Sequence, residues 1–95
     1  MKSILQNKKE CFRCRNNENL ELHHIFFGNA NRKLAEKDGL KVYLCTKHHR
    51  GTYGVHGKYG KDLNLYLKQI AQKRWQEYYK KTKEDFIKRY GKSYI

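Results

Sequence analysis

The tightest constraint on this chain is the spacing of its cysteines and histidines. Cys11-x-x-Cys14 is answered by Cys45-x-x-His48-His49, and the pair His23-His24 lies between them. Two ligands separated by two residues sit on one tight turn and can aim at one tetrahedral zinc, so two such turns supply a full ligand set. Cys11, Cys14, Cys45 and His48 make a Cys3His group. His48 repeats the spacing of the first pair, although His49 or a solvent molecule would also complete the tetrahedron. The chain has 95 residues, enough for one domain with a small core, and a metal staple supplements burial in so polar a sequence.

The three cysteines are an odd number, and no apolar run resembles a signal peptide or a membrane span. A reducing, cytoplasmic setting is therefore expected, in which cysteines serve as metal ligands rather than disulfides. Charge indicates the partner. Against 22 Lys and Arg stand 9 Asp and Glu, a net +13, and the basic residues run through the whole chain with eight tyrosines interleaved. The bland reading is a solvated basic surface. Phosphate binding explains the excess better, with DNA the expected partner and RNA the alternative, while no segment has the amphipathic character of a membrane-surface helix.

No proline, repeat or Gly/Ser linker divides the sequence, so residues 1–95 read as one domain: a zinc and catalytic core at about 10–60 and a helical extension at about 61–95. Leu20 and Leu22 alternate into Ile25-Phe26-Phe27, a first strand carrying His23 and His24. Neighbouring strand residues point to opposite faces, so only a bulge or the strand end would let both imidazoles serve one site. A short helix is expected over Asn31–Asp38, capped by Asn31 and closed by Gly39. Leu40, Val42 and Leu44 form a second strand ending at Cys45, and Thr46 to Arg50 begin a helical turn. Beyond it, Asp62 caps a long helix with Leu63, Leu67, Ile70, Ala71, Trp75 and Tyr78 on its core stripe. Lys68, Gln72, Lys73, Gln76 and Lys80 are left for solvent or phosphate. Thr82-x-x-Asp85 opens a terminal helix that ends at Gly91, and the Tyr94-Ile95 tail folds back onto the domain.

Once the Cys3His site is filled, His23, His24 and His49 remain. Stacking on tyrosine or capping a carbonyl would account for a lone histidine, but two adjacent pairs beside zinc-ligand clusters point to a second metal site. His56, in a glycine-rich loop, is a further candidate ligand. On a basic surface such a site suits phosphodiester hydrolysis, which needs an activated water, a cation for the developing charge and help for the leaving oxygen.

Cys11-x-x-Cys14, Leu22-His23-His24-Ile25 and Leu44-Cys45-x-x-His48-His49 together resemble the HNH endonuclease superfamily, and small phage and prophage HNH-like proteins in particular. Asn31-Arg32-Lys33, Val55-His56 and Leu67-Lys68-Gln69 extend the likeness over most of residues 11 to 80. The resemblance implies an α+β fold, a small zinc-stapled ββα-metal domain with a C-terminal helical extension, acting as a metal-dependent DNA endonuclease in phage or prophage DNA metabolism. It implies that His23 and His49 hold a catalytic divalent ion such as Mg²⁺ or Mn²⁺, to which His56 could add a further ligand, that His24 is the general base, and that Cys11, Cys14, Cys45 and His48 hold structural zinc. Arg32, Lys47 and Arg50 would grip flanking phosphates. A homodimer would ease double-strand cleavage. One departure stands out: the stretch before Cys45 has no counterpart of the family's middle asparagine, leaving Asn29, Asn31 or a backbone carbonyl to orient the base. A zinc-stabilised module that binds nucleic acid or intercepts a protein without cutting is the alternative.

Overall fold

The computed structural model describes all 95 residues and shows a small α+β protein. Its elements run β1 (Leu20–His24), α1 (Asn29–Asp38), β2 (Lys41–Cys45), α2 (Thr46–His49), α3 (Lys61–Tyr79) and α4 (Lys83–Tyr90). The two strands pair antiparallel without a bulge, Leu20 opposite Cys45 through His24 opposite Lys41. Residues opposite one another share a face, so Glu21 and His23 lie with Leu44 and Val42, and His24 lies on the other face with Lys41.

β1 is shorter than the alternation of apolar residues suggests. It stops at His24; the Ile25 amide still donates to the Leu40 carbonyl, and Ile25 and Phe26 are buried in the core. α1 begins two residues earlier than expected, behind Gly28 and without a side-chain cap. Its far end behaves as the sequence indicates: Gly39 adopts φ 75° and hands the chain to β2. α3 starts behind Gly60, with Asp62 inside its first turn rather than capping it. On α4 the expected capping box forms, Thr82 accepting from the Asp85 amide and Asp85 from the Thr82 amide.

One hydrophobic cluster joins the strands to the helical extension, with Val42 and Leu44 packed in the same core as Leu67, Trp75, Phe86 and Tyr90. Phe26 reaches across it, its ring 4.7 Å from Tyr90 and 5.4 Å from Phe86. Two positions of α3 depart from the expected stripe. Gln72, assigned to the polar face, is fully buried, where it donates to Ser93 Oγ and Gln76 and accepts from the Tyr94 amide. Tyr78 is exposed, and Tyr79 packs against the core in its place. These contacts hold the folded-back tail, for which Gln72 is the buried anchor.

A buried carboxylate locks the helices together. Asp38, at the end of α1, accepts from Trp75 Nε1 (2.9 Å), from the Tyr90 hydroxyl (2.7 Å) and from Arg89 through both Nε (2.6 Å) and Nη2 (2.8 Å). The Tyr79 hydroxyl donates to its backbone carbonyl. Of the donors to the carboxylate, three meet Oδ2 and one meets Oδ1, so the charge is stabilised by its donors in place of water. No helix is long and apolar enough to cross a membrane.

Candidate functional site

The Cys-x-x-Cys turn is built by the N-terminal segment. The Cys11 amide donates to Asn16, the Arg15 amide donates back to Cys11, and Phe12 bonds to Tyr43, which moors the turn against β2. Cys45 ends that strand, and His48 follows one helical turn later. The four side chains converge: Cys14 Sγ lies 3.8 Å from Cys45 Sγ, and His48 Nδ1 lies 3.2 Å from Cys45 Sγ and 3.7 Å from Cys11 Sγ. Zinc–sulfur bonds of about 2.3 Å in a tetrahedron put the sulfurs about 3.8 Å apart, and the sulfur–nitrogen edge comes to about 3.5 Å. Cys11, Cys14, Cys45 and His48 can thus hold a metal such as zinc.

The protonation of the thiols agrees with that fit. Burial raises the Cys11 thiol, but backbone N–H groups of Cys45, Cys14 and Arg13 outweigh it and leave Cys11 below the ordinary thiol value. Cys45 is pushed up, first by burial and then by the crowding of Cys11 and Cys14. A cation among the sulfurs would favour the Cys45 thiolate that burial and crowding disfavour.

His48 and His49 are neighbours on α2, so their side chains diverge by about a quarter turn of helix. His48 goes to the cysteines, and His49 goes to a second cluster with His23 and His56. There the ring centroids are 5.2 Å (His23–His49), 5.3 Å (His23–His56) and 4.8 Å (His49–His56) apart, and one nitrogen from each ring lies within 4.8 Å of the others. His23 is only 3% exposed, and its Nε2 is buried without a hydrogen-bond partner. An orphaned imidazole nitrogen is costly unless something accepts its lone pair, so its position among two further imidazoles fits a metal ligand. Burial, reinforced by His49 and His56, lowers its pKa to about 3 and keeps the ring neutral, as a ligand must be.

The loop that carries His56 is not slack. Val55 and His56 donate their amides to the carbonyls of His48 and His49, and Gly54, Gly57, Tyr59 and Gly60 add bonds within the loop. Glycine is required for this: a Cβ on Gly57 would run into the Gly51 carbonyl, and one on Gly60 into that of Gly54. Close backbone packing fixes His56, despite its exposed side chain.

Two carboxylates escaped the sequence reading. Glu21 shares the sheet face of His23 and accepts from His49 Nδ1 at 2.7 Å, turning His49 Nε2 to the cluster. The same carboxylate holds Arg50 bidentately, at 3.0 Å from Nε and 2.6 Å from Nη2. The strand period would have disclosed Glu21, two residues before His23. Glu36, on α1, lies 2.7 Å from His24 Nε2 and 2.7 Å from Lys41 Nζ. Its carboxyl is lowered to about 2, chiefly by Lys41 and then by His24. No local signal in the sequence pairs Glu36 with His24, because α1 folds back over the strand.

His24 is therefore not a member of the histidine cluster; it lies on the opposite strand face, and its ring partner is Glu36. Neither Asn29 nor Asn31 makes that contact, since both belong to the first turn of α1. Arg32 and Lys47 are exposed, while Arg50 is engaged by Glu21. Comparison with protein-family models gave no match, and comparisons with curated proteins and with solved structures gave none either.

Proposed function

We propose that the chain is a metal-dependent DNA endonuclease of the HNH type, with a ββα-metal core formed by β1, β2 and α2. The observation that carries this reading is the convergence of His23, His49 and His56, with His23 Nε2 buried and without a protein partner. It stands beside a separate Cys3His set, so the chain has one ligand group to staple the fold and another to spare for chemistry.

A divalent ion such as Mg²⁺ or Mn²⁺ held by the three histidines would supply positive charge for the scissile phosphate and the leaving 3′ oxygen. Glu21 fixes the tautomer and aim of His49. Glu36 accepts the Nε2 proton of His24, leaving Nδ1 with a free lone pair to take a proton from water. His24 is the last residue of β1, so a strand laid across the end of the sheet would pass both faces. Arg32 and Lys47 are free to meet flanking phosphates, while Arg50 must exchange Glu21 for phosphate to do so.

A second reading rests on the placement of His24: with its ring on the far face and bonded to Glu36, the domain would bind DNA without cutting. Incubation of supercoiled plasmid with Mg²⁺ or Mn²⁺ separates the two. Nicking by the wild type that is lost in a folded His24→Ala variant supports the nuclease and its base. Salt-sensitive DNA binding with no cleavage by either protein contradicts it and supports the binding module.

A further inference from the structure

The loop that supplies His56 also carries Tyr53 and Tyr59, two large aromatic residues displayed to solvent. Tyr53 is 70% exposed and Tyr59 54%. Their rings stack on each other with centroids 5.3 Å apart and planes inclined by 29°. A pair stacked this way covers one ring face of each residue and leaves most of Tyr53 in solvent. The same hydrogen-bonded loop backbone that fixes His56 fixes the pair, since the Tyr59 amide donates to Thr52 across the loop.

The pair walls a groove of about 650 Å³ that runs beside the Cys3His set, with Phe12, Leu63 and Tyr66 completing its apolar side and Arg13 at its edge. Tyr66 is itself 53% exposed. Lys58 lies 5.4 Å over the Tyr59 ring and brings a second cation to the platform. Asp62 is the one acidic residue of the lining. Open π faces with cations at their margin, on a chain of net +13, match a ligand made of flat rings on an anionic backbone. His48 lines the groove and His49, beside it on α2, turns to the histidine cluster, so the groove and the cluster flank the same short helix.

We infer that this groove binds single-stranded DNA, with an unpaired base stacked on Tyr53 and backed by Tyr59. The inference rests on the nuclease reading for the identity of the nucleic acid, and it narrows the substrate to DNA with an unpaired segment near the cut.

Fluorescence anisotropy with a labelled oligothymidylate and a labelled blunt duplex tests it, without added divalent metal so that nothing is cleaved. The variants are Tyr53→Ala/Tyr59→Ala, the single Tyr53→Ala should the double variant fail to fold, and Tyr53→Phe/Tyr59→Phe. Zinc content and melting temperature serve as folding controls. Single-strand affinity should fall about tenfold or more in the alanine variants, stay near wild type in the phenylalanine variant, and keep its salt dependence, while duplex affinity changes little. Equal weakening toward both DNAs, or none toward the single strand, would overturn the platform. So would a wild-type dimer that becomes monomeric in the alanine variant with strand binding unchanged, because the groove would then seat a second copy. Plasmid nicking is scored separately. Loss of strand binding in a protein that never cuts leaves the platform standing and removes the nuclease, and normal nicking with unchanged strand binding does the reverse.

Discussion

Glu21 on β1 and His49 on α2 are joined by a 2.7 Å hydrogen bond from His49 Nδ1 to the Glu21 carboxylate. That bond ties the strand bearing His23 to the helix bearing His49, and it commits one nitrogen of His49 to the protein and the other to the cluster. Replacing Glu21 with Gln should weaken Mn²⁺ binding at the histidine cluster by about 10- to 100-fold, the usual cost of losing a partner that orients a metal-binding imidazole. Zinc in the Cys3His set should be unaffected. Titration calorimetry of the zinc-loaded variant with Mn²⁺ checks this, and an unchanged affinity would remove Glu21 from the site.

Cys14 gives a clean test of the structural site because it is exposed. An exposed side chain with no special role changes stability by within about 0.5 kcal/mol when replaced. Cys14→Ser should instead lower the melting temperature sharply and release zinc, and a chelator should unfold the wild type. Circular dichroism melts with metal analysis read both effects. A variant that melts like the wild type would exclude Cys14 as a ligand.

Asp38 should be the most sensitive polar position in the core. Asp38→Ala leaves Trp75 Nε1 and the Tyr90 hydroxyl buried without their acceptor, each at a cost of about 1–3 kcal/mol, while Arg89, a third exposed, can turn to water. Urea denaturation measures the loss. A cost near that of a surface substitution would show that water replaces the carboxylate without penalty.

Glu36 links stability to pH. Its folded pKa of about 2 lies below the ordinary value of 4.5, so it binds a proton less readily when folded. The stability it confers is therefore present above about pH 4.5 and is lost as the pH falls toward 2. In urea melts, the gap between wild type and Glu36→Gln should be open at neutral pH and narrow steadily below about pH 4.5. With 45% of its side chain exposed, Glu36 contributes a modest gap. A gap independent of pH would mean that the pairing with Lys41 and His24 is not ionic. The same variant should lower the rate of plasmid nicking with little effect on DNA binding, because Glu36 orients His24 and touches no phosphate.

Local signals in the sequence carried the elements and the ligand sets. The Cys-x-x-Cys and Cys-x-x-His spacings, the Gly39 stop and the Thr82–Asp85 capping box each depend on neighbours within a few residues, and each appears in the structure. The strand period likewise separates His23 from His24, which the unbroken ladder then enforces. What stayed hidden depends on distant segments meeting. Glu36 reaches His24 only because α1 folds back, Gln72 is buried only because the C-terminal tail returns across α3, and Asp38 finds Arg89 fifty-one positions away. The glycine-rich setting of His56 gave little sign of where that side chain would lie, whereas Gly57 and Gly60 allow the close packing that fixes it.

The most direct test of the account compares wild type with His49→Ala on supercoiled plasmid, across a Mg²⁺ and Mn²⁺ series, with zinc content measured on the same preparations. The expected result is metal-dependent nicking by the wild type and none by the variant, which keeps its zinc because His48, not His49, faces the cysteines. Nicking by His49→Ala at the wild-type rate, or no cleavage by the wild type with any divalent ion, would contradict a catalytic metal centre at His23, His49 and His56.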